Sequence, residues 1–174
     1  MRIGLDLDGV VYDWHSPVYT HFVALENYQG TFTEFWTKYI PSLPKERQEY
    51  IVSLDFFYLR RTMSEEDLNS INKLASLGDI YYITARAKKL RRATEKFLRM
   101  NNLPYKDNLI MSEDKLSYCK LLQIDFFVDD FSSYVEEIGK FTTAFLFAKP
   151  WNRDRRDLPT IYSLEELYKI IKEN

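Results

Sequence analysis

The sequence has almost no cysteine, no long apolar run and no excess of one charge. Its single cysteine, Cys119, excludes an internal disulfide and suits a reducing compartment. Cys119 lies on an apolar stripe at helical spacing, which favours a buried, inert thiol over a nucleophile. No apolar run approaches membrane-spanning length, and a strand pattern begins where a signal peptide would lie. We therefore expect a cytoplasmic protein with no membrane partner.

The net charge of −2 over 174 residues implies no bulk attraction to nucleic acid, so no stable nucleic-acid partner is expected. This balance still allows a local basic pocket for a small phosphate. The length suggests one core domain with room for a modest insertion. Aromatic residues make up 16% of the chain, a high share, and many lie between Trp14 and Tyr58. That concentration separates this stretch from the rest of the sequence.

The first predicted strand covers roughly Arg2 to Leu7. It is an apolar run that ends in two aspartates one residue apart, Asp6 and Asp8, and is typical of a short buried strand. Because strand side chains alternate, we expect Asp6 and Asp8 on one side of the chain and Leu7 on the other. Two carboxylates so close repel each other, and Mg²⁺, which prefers oxygen ligands, would relieve that repulsion. Gly9 lets the chain turn away without a side chain that would block the site. The alternative is a strand end with two solvated aspartates.

Beyond residue 63 the sequence alternates between strand and helix patterns. This alternation favours an α/β fold with a parallel sheet covered by helices on both faces. Ser64, Ser133 and Ser163 have the spacing of helix caps. The predicted strands after the first are Ile80–Ile83, Asn108–Met111, Asp125–Val128 and Thr143–Phe147. The predicted helices run from Ser64 to Gly78, from Lys88 to Asn101, from Ser112 to Gln123, from Ser133 onward, and from Leu164 to Lys172.

Residues 13–63 form a different kind of segment, rich in aromatic residues, with three prolines and several short helical patterns. We predict a small helical cap inserted after the first strand, so that residues 1–12 and 64–174 form the core domain. The alternative is that these helices pack on the sheet as an ordinary part of the core.

Polar side chains follow three of the predicted strands at the point where each strand ends. Asp6 and Asp8 follow the first strand, Thr84 the second, and the pair Asp129 and Asp130 the fourth. The carboxyl ends of parallel strands meet at one edge of a sheet, and ligands bind there. We therefore expect these side chains to share one site.

The same residue types suit phosphoryl transfer assisted by Mg²⁺. Asp6 is the candidate nucleophile, and Asp8 can protonate the leaving oxygen and then deprotonate the attacking water. Thr84 and Lys115 can bind phosphate oxygens, Lys115 from the first turn of a helix. The acidic pair after the fourth strand can complete the metal shell, one member directly and the other through water. Each residue alone also has an ordinary explanation as a strand end, a surface lysine or a helix cap.

Four motifs run in order along the chain: Asp6-x-Asp8-Gly9-Val10, Ile83-Thr84, Lys115 and Val128-Asp129-Asp130. By these motifs the sequence resembles the haloacid dehalogenase (HAD) superfamily of phosphatases. The resemblance implies a Rossmann-like three-layer fold, Mg²⁺ as cofactor, an aspartyl-phosphate on Asp6, Asp8 as acid and base, and phosphate contacts from Thr84 and Lys115. The metal ligands that it implies are Asp6, the backbone carbonyl of Asp8, and the pair Asp129 and Asp130, with Asp130 favoured as the direct ligand.

Two further stretches are Asp8-Gly-Val-Val-Tyr-Asp13-Trp14 and Phe147-x-x-Pro150-Trp151-Asn152. In these the sequence is similar to the 5'(3')-deoxyribonucleotidases of cytosolic and mitochondrial type. That resemblance implies a small helical cap whose aromatic side chains hold the base, with Trp14 in the base pocket and Phe35 and Trp36 as candidate partners. Arg86 is a candidate phosphate contact, with pairing to an acid as the alternative. Surplus aromatic residues in the cap leave a homodimer surface as another use for them.

The leading hypothesis is a Mg²⁺-dependent phosphomonoesterase that acts on (deoxy)nucleoside monophosphates, because bases stack well on aromatic side chains. The second hypothesis is a phosphatase for another small phosphate ester or for the 3'-phosphate end of a polynucleotide. The third is a non-catalytic nucleotide-binding protein on the same fold. The complete set of nucleophile, acid/base and metal ligands argues against the third.

Overall fold

The computed structural model describes residues 1–54 and 63–173. Its strands are β1 Arg2–Leu5, β2 Asp79–Thr84, β3 Leu109–Met111, β4 Phe126–Asp129, β5 Thr143–Phe147 and β6 Thr160–Ile161. They form one parallel sheet in the order β3-β2-β1-β4-β5-β6. The five predicted strands are all present, although the first ends at Leu5 instead of Leu7. β6 has only two residues, too few to produce a periodic pattern in the sequence.

β1 lies in the middle of the sheet, between β2 and β4. Ile3 pairs with Ile80 of β2 on one side and with Phe126 of β4 on the other. The chain first extends the sheet in one direction through β2 and β3, and then returns to extend it in the other direction from β4. Ligands of such sheets bind beyond the carboxyl ends of the strands where this direction reverses. Asp6, which follows β1, and Asp129, which ends β4, lie at that point.

Helices cover both faces of the sheet, so the α/β prediction is confirmed. Neighbouring residues of the central strands belong to two different hydrophobic clusters: Tyr82 and Val128 to one, Ile83 and Phe127 to the other. Among the described residues, none of the helices is both long and apolar enough to span a bilayer. The helices are α1 His15–Leu25, α2 Phe32–Glu34, α3 Ile40–Ser42, α4 Lys45–Val52, α5 Glu65–Ala75, α6 Arg91–Met100, α7 Lys115–Leu121, α8 Ser132–Ile138 and α9 Leu164–Glu173.

Two of the three predicted serine caps are confirmed. The hydroxyls of Ser64 and Ser163 each accept the backbone N–H three residues further on, at 3.1 Å. The prediction for Ser133 is wrong, because this residue lies inside α8, which begins one residue earlier. The N-cap of α8 is Phe131, and its backbone N–H donates to the carboxylate of Asp129 at 2.9 Å. Asp129, a residue of the predicted site, therefore links the end of β4 to the start of α8.

The segment after β1 is helical throughout its regular elements, with no strand between residues 13 and 54. Val18, Phe22 and Phe35 of this segment are buried in the same hydrophobic cluster as Ile3 and Leu5 of β1. The division into a cap and a core stays a prediction. Residues 55–62 of the predicted cap lie outside the described residues.

One turn in this segment departs from α-helical geometry. Between α2 and α3, residues Phe35–Tyr39 form a π turn, in which the backbone N–H of Ile40 donates to the carbonyl of Phe35. A π turn contains one residue more than an α turn, and such turns occur frequently at functional sites. Its first two residues differ in burial: Phe35 is fully buried, and Trp36 is only partly buried.

Candidate active site

A compact turn after β1 directs two carboxylates into one cleft. The backbone N–H of Asp6 donates to the carbonyl of Val128 at 2.9 Å, which fixes the strand end against β4. Asp6 and Asp8 both line the cleft, as predicted, while Leu7 between them is fully buried in the core. Gly9 has a φ of +90°, and a Cβ there would lie 2.5 Å from Asp130 Oδ2. The turn therefore requires glycine for its backbone conformation and for space.

Lys115, the first residue of α7, bridges two buried carboxylates. Its ammonium group donates to Asp6 Oδ1 at 2.6 Å and to Asp129 Oδ2 at 2.7 Å. Burial alone would lower the pKa of Lys115, but these two carboxylates raise it above its ordinary value. An ammonium has three donors, so one is left after these two bonds; Lys115 lines the cleft, where the ring centroid of Tyr134 lies 4.5 Å from Nζ.

Asp6 has a perturbed pKa because it is buried among like charges. Burial raises this pKa to about 7, Lys115 opposes the rise, and the carboxylates of Asp129 and Asp8 add to it. Burial also raises the pKa of Asp129 against the effect of Lys115. A divalent cation bound to these oxygens would lower both values again, since it stabilises the ionised carboxylates.

Three of the predicted metal ligands converge. Oxygens of Asp6, Asp129 and Asp130 all lie within 4.8 Å of one another. Both carboxylate oxygens of Asp130 are buried, and neither has a hydrogen-bond partner among the described residues. Burial and then the charges of Asp129 and Asp6 raise the pKa of Asp130 well above its ordinary value. A buried carboxylate without donors is costly, and a hard cation with oxygen ligands would satisfy it, so the residues present fit Mg²⁺.

The side chain of Asp8 lies apart from this cluster and pairs with Arg86. Arg86 Nε donates to Asp8 Oδ2 at 2.7 Å, and Nη2 donates to Oδ1 at 2.6 Å. Of the two alternatives for Arg86, the structure therefore has the pairing with an acid. A metal contact from Asp8 through its backbone carbonyl stays a prediction.

Thr84 ends β2 and is almost fully buried at the same edge of the sheet. Its hydroxyl accepts the backbone N–H of Arg86 at 3.3 Å, which shapes the loop after the strand. Thr84 also lines the cleft. The position suits the predicted phosphate contact, which stays a prediction.

The cleft has a volume of about 900 Å³ and joins the carboxylates to an aromatic wall. The chain has three tryptophans, and all of them line this cleft: Trp14, Trp36 and Trp151. The rings of Trp36 lie 5.6 Å from those of Trp14 and 5.9 Å from those of Trp151, centroid to centroid. Phe35, a candidate partner in the sequence, is instead fully buried and is not among the lining residues.

Sequence reasoning missed His15 and gave no role to Trp151. The imidazole of His15 lines the cleft and packs against Trp36 and Trp151, with ring centroids 4.7 and 4.1 Å away. Burial lowers the pKa of His15 to about 4, against the raising effect of Asp8. The rarity of tryptophan was a usable signal for Trp151. No pattern in the sequence indicates His15, because Trp36 and Trp151, against which it packs, come from distant positions.

The family model for 5' nucleotidase, deoxy (Pyrimidine), cytosolic type C proteins matches residues 1–174. The chain belongs to this family. It is thus a member of a HAD-type nucleotidase family, as the sequence motifs predicted.

Two curated relatives of this nucleotidase-family chain are named as nucleotidases. Nucleotidase CA_C3379 of Clostridium acetobutylicum is 23% identical, over 98% of this chain and 93% of that protein. The nucleotidase-named protein OB0422 of Oceanobacillus iheyensis is 30% identical over 100 residues. That match spans about half of each protein, 54% of this chain and 53% of the relative.

Solved structures show the same fold at low sequence identity. The protein YfnB of Bacillus subtilis, described as a HAD-hydrolase bound to magnesium, has a TM-score of 0.65 and is 14% identical over 98% of both chains. The L-2-haloacid dehalogenase of Xanthobacter autotrophicus has a TM-score of 0.58 and is 12% identical, again over 98% of both chains. These likenesses support the Rossmann-like HAD fold. The hydrolase assignment within the HAD superfamily follows from the family match, not from these structures.

Proposed function

We propose that this nucleotidase-family chain is a Mg²⁺-dependent phosphomonoesterase that hydrolyses (deoxy)nucleoside monophosphates through an aspartyl-phosphate. One observation carries the proposal: a single cleft joins the carboxylate cluster at the sheet edge to a wall that contains all three tryptophans. The carboxylate cluster suits a phosphate and its metal, and the tryptophan wall suits a base.

The reaction has two displacements at phosphorus, and Asp6 and Asp8 divide the roles. A carboxylate oxygen of Asp6 attacks the phosphorus, the ester P–O bond breaks, and protonated Asp8 gives its proton to the leaving alcohol. Water then attacks the phosphorus, the bond to Asp6 breaks, and the water proton passes to Asp8. Mg²⁺, held by Asp6, Asp130, the backbone carbonyl of Asp8 and, through water, Asp129, would neutralise phosphate charge.

Lys115 and Thr84 would hold the phosphate during both steps. Lys115 keeps one donor beyond those used by Asp6 and Asp129, and its charge offsets that of the anion. Because the ammonium is also bonded to Asp6, it holds the nucleophile and the phosphate in one arrangement. Pre-positioning of this kind is a large part of catalysis in phosphoryl transfer.

The aromatic wall is the reason to propose a nucleotide over a sugar phosphate. Stacking on an aromatic side chain is worth roughly 1–3 kcal/mol per base. Trp14 and Trp36 would contact the base from the predicted cap, residues 13–63, and Trp151 from the turn after β5. The cytoplasmic location and the homodimer stay predictions from the sequence.

The test is phosphate release from a panel of deoxynucleoside and ribonucleoside monophosphates, with Mg²⁺ and with a chelator, by the wild type and Asp6→Asn. Metal-dependent turnover that favours nucleotides and disappears in Asp6→Asn would support both the chemistry and the substrate class. Turnover restricted to sugar phosphates or 4-nitrophenyl phosphate would reject the nucleotide. Absence of turnover, with nucleotide binding retained, would reject the enzyme in favour of a binding protein.

A further inference from the structure

Arg86 is held rigidly although it lies beside a cleft. Its side chain is 2% exposed, and each of its three guanidinium nitrogens has an acceptor within the protein. Nε and Nη2 donate to the two oxygens of Asp8, and Nη1 donates to the hydroxyl of Thr94 at 3.1 Å. A planar guanidinium bonded in this way cannot rotate without breaking several bonds at once.

Thr94, which accepts a hydrogen bond from Arg86 on the side away from Asp8, is itself held in place. Thr94 lies in α6 and is fully buried, and its hydroxyl donates to the carbonyl of Leu90 at 3.0 Å. The oxygen of Thr94 therefore has one defined direction in which it accepts, toward Nη1 of Arg86. A chain of hydrogen bonds thus runs from the backbone before α6 through Thr94 and Arg86 to the carboxylate of Asp8.

This chain determines how Asp8 faces the cleft. An aspartate side chain has two rotatable bonds, and the side chain of Asp8 remains 23% exposed. The two parallel bonds from Arg86 fix the plane of the carboxylate and use one lone pair of each oxygen. The lone pairs that remain point away from Arg86, and Asp8 lines the cleft.

We propose that Arg86 is a positioning residue that orients Asp8 for proton transfer, and that it does not bind the substrate phosphate. The inference rests on the proposed function, in which Asp8 protonates the leaving alcohol. Removal of Arg86 would leave Asp8 in place but free to rotate, so that its proton would seldom face the leaving oxygen. Positioned general acids contribute roughly 10²–10⁴-fold to rate.

The decisive readout is the dependence of kcat/KM on the leaving group. A nucleoside is a poor leaving group that needs a proton, whereas 4-nitrophenolate leaves without one. We expect Arg86→Met to lower kcat/KM for a deoxynucleoside monophosphate about 100-fold, and for 4-nitrophenyl phosphate less than about 5-fold. The ratio kcat/KM excludes hydrolysis of the aspartyl-phosphate, because that step follows release of the leaving group. The inhibition constant of inorganic phosphate should not change.

Two other variants keep the test informative if Arg86→Met folds poorly by circular dichroism. Thr94→Val removes the hydroxyl that accepts from Arg86 Nη1. It should lower kcat/KM for the nucleotide about 3- to 10-fold more than kcat/KM for 4-nitrophenyl phosphate. Guanidinium ion added to Arg86→Ala should restore turnover of the nucleotide. Arg91→Met is the matched control, since Arg91 is half exposed and its one ion pair among residues 1–54 and 63–173 is with Glu95, at 3.3 Å.

Three outcomes would overturn the inference. Equal losses for the two substrates would mean that Arg86 supports the whole site. A weaker affinity for inorganic phosphate in Arg86→Met would mean that Arg86 binds phosphate after all. Unchanged activity would leave it without a role. Failure of the proposed function is distinct, because the wild type itself would then not turn over nucleotides or Asp6→Asn would remain active.

Discussion

The imidazole of His15 packs against the indole of Trp151, with ring centroids 4.1 Å apart and planes inclined by 35°. The contact joins the start of α1 to the turn after β5, two regions that are distant in sequence. Trp151 is followed by Asn152, whose side chain donates to the backbone carbonyl of Asp130 at 2.9 Å. The adjacent residues Trp151 and Asn152 therefore connect the aromatic wall to the carboxylate cluster.

His15 should make the stability of the protein depend on pH. Burial lowers its pKa from 6.5 to about 4, so the unfolded chain takes up a proton below pH 6.5 while the folded chain does not. The free energy of unfolding should therefore fall between pH 6.5 and 4, by about 3 kcal/mol from this group. His15→Phe should remove that part of the slope, as measured by urea unfolding across this range.

The second histidine, His21, provides the control, because His21→Phe is the same change on the same helix. The difference in slope between wild type and His15→Phe isolates the contribution of His15 from that of every other titratable group. Identical slopes for wild type and His15→Phe would contradict the prediction.

Asp130 should couple stability to Mg²⁺. Its carboxylate is buried without a hydrogen-bond donor among the described residues, beside two other aspartates. In chelator, Asp130→Asn should be more stable than the wild type, because it removes a buried negative charge. Mg²⁺ at a hundred times its Kd should stabilise the wild type by about 2.7 kcal/mol, and Asp130→Asn far less. Thermal unfolding with chelator and with Mg²⁺ measures the stability difference and the effect of the metal. A wild type whose unfolding temperature does not change with Mg²⁺ would contradict the prediction.

Lys115 should be necessary for stability as well as for activity. Its ammonium is the cation that bonds to both Asp6 and Asp129, so Lys115→Met leaves their buried charges without this partner. We expect a loss of about 3–5 kcal/mol in the free energy of unfolding in chelator, partly recovered in Mg²⁺. Lys120→Met, an exposed change on the same helix, serves as the control in urea unfolding. A loss no larger than that of Lys120→Met would show that the bridge contributes little.

Trp36 should affect substrate affinity and leave phosphate affinity unchanged. We expect Trp36→Leu to raise KM for nucleoside monophosphates about 5- to 150-fold, because a stacking surface of roughly 1–3 kcal/mol is lost. The inhibition constant of the product nucleoside should rise in parallel, and that of inorganic phosphate should not. Phe141→Leu, an exposed aromatic change that does not line the cleft, is the control. Parallel changes in both inhibition constants would indicate a structural effect instead.

Most of the fold was predictable because it follows from local patterns. Buried parallel strands have apolar runs, the helices between them have an apolar stripe, and two serine caps sit where their spacing indicated. The convergence of Asp6, Asp129 and Asp130 was also predictable, since parallel strands end at one edge. The five predicted strands show these regularities, whereas β6, with two residues, shows none.

The pairings within the site were not predictable, because they depend on packing between distant positions. The bond between Arg86 and Asp8 joins residues 78 positions apart, and that between Lys115 and Asp6 joins residues 109 apart. The spacing of Ser133 predicts a cap, but the helix begins at Ser132, and the carboxylate of Asp129 accepts the backbone N–H of the N-cap residue Phe131. Spacing indicates which residues can interact locally, and tertiary structure decides which ones do.

The π turn at Phe35–Tyr39 makes the far wall of the cleft tolerant of a change in chain length. A π turn holds one residue more than an α turn, so deletion of a single residue within it would give an α turn while the residues that follow kept their orientation. Ile40 and Pro41, which line the cleft after this turn, would stay in place. A deletion in a regular helix would instead rotate every later residue by about 100°, so the turn is the position where this wall can lose a residue without rearrangement.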